Sequence, residues 1–101
     1  MRLSAISTDG TVKLRALLDH PMESGKRLDK KGRAIEASYL QQLVVKQGDN
    51  VLVSSDIGSN LSKNPYFSFE FEGVDVGQEL TLEWTDEKGE LRTATVTVEL
   101  P

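Results

Sequence analysis

A single histidine, His20, and no cysteine leave this chain of 101 residues few groups that could do covalent chemistry. His20 opens the segment His20-Pro21-Met22-Glu23-Ser24-Gly25, which runs into the basic cluster Lys26, Arg27, Lys30, Lys31 and Arg33. Asp19, His20 and Ser24 are the residue types of a hydrolytic triad. Neighbouring residues on a continuing strand face opposite ways, however, and no other residue is placed to orient the imidazole. His20 and Met22 offer two copper-type ligands, short of the set that a copper site requires. Without a thiol there is no disulfide, no thiolate metal site and no sulfur nucleophile. The expectation is therefore no catalytic set, no metal and no cofactor. His20 and Pro21 then end a strand and shape a loop. The basic run is either a solvated loop face or a patch that steers an acidic partner or an anionic ligand.

The loop His20–Arg33 is too long for a hairpin connection, and so is a second one, Asp56–Asn64, with Gly58, Ser59, Asn60 and Ser62 and a stop at Pro65. Long loops on a rigid scaffold are where recognition is usually placed. Tyr39 and Tyr66 lie where loop meets strand and read as interface anchors. Glu70, Glu72 and Glu83 read as solvent-facing charges that protect strand edges. Asn60-Leu61-Ser62 matches a glycosylation sequon and reads as a chance occurrence.

The elements that must carry these loops show a period of two. Val12, Leu14, Ala16 and Leu18 alternate along one segment, Phe67, Phe69 and Phe71 along another, and Leu80, Leu82 and Trp84 along a third. A fourth has Ala94, Val96, Val98 and Leu100. Such alternation is that of half-buried antiparallel strands, with the Phe stripe and Trp84 in the core. Asp9-Gly10, Gly48-Asp49-Asn50 and Glu87-Lys88-Gly89 supply tight-turn chemistry. Ala34–Gln42 fits a short helix by composition, but the β-branched run that follows favours a strand with an irregular start. The sum is a single all-β domain over 1–101, an immunoglobulin-like β-sandwich of about seven antiparallel strands.

Net charge is −4, unevenly spread. Residues 1–65 hold ten Lys/Arg and seven Asp/Glu, whereas residues 66–101 hold two and nine. That polarity argues against nucleic acid, which needs a broad positive surface. No stretch approaches the roughly 20 apolar residues of a membrane helix, and the N-terminal residues lack the apolar run of a signal peptide. From its residues alone the chain reads as a binding or structural module. One form of that reading is a stand-alone immunoglobulin-like module that binds through the His20–Arg33 loop.

Three segments give a more specific resemblance. The first is His20–Gly25 with Leu28-Asp29 and Lys31-Gly32. The second is Ser62-Lys63-Asn64-Pro65-Tyr66 leading into Phe67-Ser68-Phe69, Phe71 and Gly73. The third is Gly77, Leu80, Trp84-Thr85-Asp86 and Gly89. In this order they resemble the SoxZ family of sulfur-oxidation carrier proteins. The family pattern has Thr at the place of Ser24 and Pro-Ala-His at the place of Glu36-Ala37-Ser38. The resemblance implies an immunoglobulin-like fold and a non-catalytic subunit paired with a SoxY-type protein. The partner's cysteine, on a flexible C-terminal arm, covalently holds sulfur intermediates from thiosulfate while other Sox enzymes act on them. It further implies work in the periplasm after export together with the partner. Partner-interface candidates are His20, Pro21, Met22, Glu23, Ser24, Gly25, Tyr39, Ser62, Lys63, Asn64, Pro65 and Tyr66.

Overall fold

The alternating segments form seven strands and no helix in the computed structural model, which describes residues 1–101. They are β1 (Arg2–Thr8), β2 (Thr11–Leu17), β3 (Leu40–Gln47), β4 (Asn50–Asp56), β5 (Tyr66–Glu72), β6 (Glu79–Asp86) and β7 (Leu91–Thr97). Two antiparallel sheets result, in the orders β1-β2-β5 and β4-β3-β6-β7. This is the expected β-sandwich. The hairpins β1–β2, β3–β4 and β6–β7 turn within a sheet. The other three connections cross from one sheet to the other: the two long loops, β2 to β3 and β4 to β5, at one end, and the short Gly73–Gln78 segment, β5 to β6, at the other.

Register carries the alternation into the interior. Val12, Leu14 and Ala16 face inward from β2, Leu43 and Val45 from β3, and Leu80 and Leu82 from β6, all fully buried. Each large apolar side chain buried in this way is worth about 1.5–3 kcal/mol. Every side-chain polar atom that is buried has a hydrogen-bond partner.

Three expectations need correction. Phe67, Phe69 and Phe71 pair with Ala16, Leu14 and Val12 and so share the inward face, yet they are only half-buried. The reason is position: β5 is the last strand of its sheet, and its aromatic row reaches the rim of the sandwich. Trp84 is half-buried for a similar reason, since it pairs with Arg92 near one end of the sheets. The last strand, in turn, stops at Thr97 instead of running to Leu100. Val98 and Glu99 leave it to bridge the two sheets. Val98 exchanges backbone hydrogen bonds with Gly77 and Gln78 (2.9 Å each), and Glu99 with Ala5 and Ser7 (3.0 and 2.8 Å). Leu100 beyond them is 69% exposed. Ala34–Gln42 holds no helix; it contributes isolated bridges at Ala34 and Ser38 before β3 begins.

Candidate functional site

Antiparallel register puts the end of β2 beside the start of β5, since Leu17 pairs with Tyr66, and puts the start of β3 beside the end of β6, since Leu40 pairs with Asp86. Both long loops and the β6–β7 turn therefore meet at one end of the sandwich. Backbone hydrogen bonds fasten them. His20 N–H donates to Asn64 Oδ1 (3.0 Å), and Asn64 N–H donates back to the His20 carbonyl (2.8 Å). Leu18 N–H donates to the Pro65 carbonyl (3.0 Å). Asn64 takes a left-handed backbone (φ 54°), a conformation that Asn tolerates better than most residues.

The His20 loop is shaped from inside. Met22 is left-handed (φ 50°) and only 7% exposed, so its thioether belongs to the core. Its N–H donates to His20 Nδ1 (3.1 Å). Glu23 and Ser38 exchange backbone hydrogen bonds of 2.7 and 2.8 Å, tying the two arms of the loop together. Gly25 is left-handed (φ +87°), which favours glycine, and a Cβ there would stand 3.1 Å from the Ala37 Cβ, a tight contact that Ala37 would have to relieve. Tyr39 N–H donates to Glu87 Oε2 (2.9 Å), and Glu87 N–H to the Tyr39 carbonyl (3.1 Å), which adds the β6–β7 turn to the cluster.

Beyond Gly25 the basic run folds back on itself. Asp29 N–H donates to the Arg33 carbonyl and Ile35 N–H to the Arg27 carbonyl (2.8 Å each). Asp29 Oδ1 accepts from Lys31 N–H and Arg33 N–H at the tip. Arg27 bonds Glu23 at 2.5 Å and holds that carboxyl below its usual range, with Lys63 adding to the effect. Lys26, Lys30 and Lys31 are exposed and form no ion pair.

His20 lines a cleft of about 470 Å³ with Trp84, Asp86, Glu87, Glu90 and Arg92 among its walls. Partial burial lowers the His20 pKa; the Glu87 and Asp86 carboxylates oppose that, and Arg92 reinforces it. Because Nδ1 accepts from Met22 N–H, the neutral ring carries its proton on Nε2. No triad assembles around it. Asp19 pairs with the N-terminal ammonium, and Ser24 Oγ accepts from Lys26 N–H (3.2 Å). Met22 points into the core, and no group of three or more His, Cys, Asp or Glu side chains is placed to hold a metal ion. This end offers fixed donors, acceptors and charges for recognition.

All twelve expected residues lie along these fastened segments. Pro65 is buried as the pivot into β5, while Tyr66 is 57% exposed. Sequence reasoning missed the acidic wall of Asp86, Glu87 and Glu90 with Arg92. Its available signal was the turn Glu87-Lys88-Gly89, read there only as a connection. Another cleft of about 510 Å³, lined by Thr8, Thr11, Lys13, Arg15 and Glu70, opens on the outer face of β1-β2-β5 and holds none of the expected residues.

The first resembling segment, the Ser62–Tyr66 part of the second and the Trp84–Gly89 part of the third thus converge on one end of the fold. No curated protein matches the chain. The family model for sulphur oxidation protein SoxZ matches residues 1–97, with the loops, the Phe row and the converging turn all inside the match. The chain belongs to the SoxZ family of sulfur-oxidation proteins.

Proposed function

We propose that this protein is the non-catalytic subunit of a two-chain sulfur carrier and serves as the rigid base for a SoxY-type partner. The observation that carries this reading is the absence of cysteine in a sulfur-oxidation protein. Holding sulfur as a persulfide or thiosulfonate adduct requires a thiolate. A chain without one must rely on another chain for the covalent step. A swinging cysteine arm, for its part, needs a base that does not move with it, and a sandwich with a fully buried aliphatic interior supplies one.

In this reading the end formed by His20–Gly25, Tyr39 and Ser62–Tyr66 lies at or near the partner contact or the arm's landing site. Its backbone hydrogen bonds keep it in one shape, which lowers the ordering cost of recognition. The exposed Lys26, Lys30 and Lys31 steer acidic faces of the transiently docking enzymes toward this end. Other Sox enzymes dock transiently, and the complex works in the periplasm.

The test is to mix the purified chain with the SoxY-type subunit of the same source and measure the mass by sedimentation. A one-to-one complex in which thiosulfate-derived mass appears on the partner's cysteine alone supports the reading. Two separate monomers would contradict it.

A further inference from the structure

The two long sides of the sandwich end differently, and one of them is open. On one side Val98 bonds Gly77 and Gln78, which lead into β6, and Glu99 bonds Ala5 and Ser7 of β1, so the sheets are bridged where the terminal strands β7 and β1 meet. On the other side β4 and β5 are both terminal strands, each with a row of backbone groups paired to no neighbour. Along β5 the half-buried Phe67, Phe69 and Phe71 form a ladder of stacked rings with centroids 6.4 and 6.3 Å apart. At the head of the ladder Phe67 and Leu61 line a cleft of about 430 Å³ with Ser55, Asp56 and Ile57. Leu61 is 40% exposed.

Natural proteins blunt such edges with lysine, proline or a cover. Here the charged guards are few and all acidic: β5 carries Glu70 and Glu72, β4 ends on Asp56, neither strand contains lysine, arginine or proline, and no further strand pairs with either edge. A row of aromatic rings beside an unpaired edge has the form used to take up an added strand: backbone bonds give affinity and the rings give anchors. Charge decides what can add. The two strands carry three carboxylates and no cation; Glu70 is paired with Lys13 of β2 (3.6 Å), which leaves Asp56 and Glu72 without an ion-pair partner at the two ends of the open side. Two copies of this chain pairing along β5 would bring like charges together, which disfavours self-association. The edge fits an unlike strand, apolar on one face and flanked by Lys or Arg.

We propose that the open β4/β5 side is the main docking surface for the cysteine-bearing subunit, which contributes a strand with basic flanks against the Phe ladder. This rests on the two-chain reading above and deepens it. The surface continues into the loop end, because Ser62–Tyr66 leads directly into Phe67. Docking on the ladder places the partner beside the His20–Asn64 cluster.

The test is the affinity of the intact chain for the SoxY-type subunit, measured by calorimetry with three variants. Leu61→Glu and Glu72→Lys alter the open side, and Thr95→Glu alters exposed β7 on the joined side. Thermal unfolding of each variant confirms that it folds; if Leu61→Glu does not, Glu72→Lys decides. The expected result is binding weakened about ten-fold or more by each open-side change, with Thr95→Glu unchanged. Tight binding by the native chain that all three variants retain within about two-fold would overturn the docking surface while leaving the two-chain reading intact. A loss confined to Thr95→Glu would overturn it as well. No complex with the native chain would sink both.

Discussion

The joined and open sides of this sandwich are built from the same alternating strands and differ in what meets the edge. On the joined side the chain leaves β7 at Thr97 and fastens the entry to β6 at Gly77 and Gln78 to β1 through Val98 and Glu99, and Val98 is fully buried. On the open side the same inward-facing alternation gives three phenylalanines that the fold half covers. An aromatic side chain has 150–250 Å² to bury, so leaving part of three of them at a rim forgoes stabilisation that a cover would supply. The joined side thus serves stability within the chain, whereas the open side keeps apolar surface that the proposed partner would bury.

Substitutions test that contrast, the largest effects coming from inside. Leu14→Ala, beneath the Phe ladder but fully buried, should lower stability by about 2–5 kcal/mol in urea unfolding, because the sheets cannot collapse around the cavity. Val98→Ala should cost about 2 kcal/mol. A negligible effect there would mean that the joined side is not a structural seam. Gly25→Ala should cost about 1–2 kcal/mol, since Ala is strained at φ +87° and its Cβ meets Ala37. Leu61→Glu should leave stability within about 0.5 kcal/mol while weakening partner binding, the reverse of the Val98 pattern. If it destabilised the free chain as much as Val98→Ala does, the contrast between the sides would fail.

The smallest effect concerns pH. His20 has a folded pKa below its ordinary 6.5, mainly through partial burial. The unfolded chain therefore binds the proton more readily, so this contribution is complete above about pH 6.5 and is lost as pH falls through the folded value. Protonation at Nδ1 also removes the acceptor of Met22 N–H. Unfolding midpoints at pH 7.5 and pH 5 should drop more for the native chain than for His20→Gln. Equal drops would show that His20 carries no such linkage.

The strands, turns and two-sheet class were legible in the sequence because alternation and Gly/Asp turns are local signals. Val12, Leu14 and Ala16 alternate as they pack, and Asp9-Gly10 turns where its chemistry says it must. The exposure of Phe67, Phe69 and Phe71 was not legible, since alternation tells which face a residue takes but not whether its strand is central or terminal. For the same reason Val98 and Leu100 looked like two more steps of one strand. The departure to β1 depends on a neighbour distant in sequence. At the candidate site the two loops were readable as long polar connections. Their hydrogen bonding through His20 and Asn64 was not, because it follows from sheet order. Asp86, Glu87 and Glu90 were hidden inside an ordinary turn.

Amide hydrogen exchange of the chain, free and in complex with the SoxY-type subunit, shows whether a different subunit covers the open side. New protection should concentrate in β4, β5 and the Leu61–Tyr66 segment, with β7 and the Val98–Glu99 seam unchanged. Protection that instead appears along β7 or β1, leaving the β5 amides as exposed as in the free chain, would contradict it.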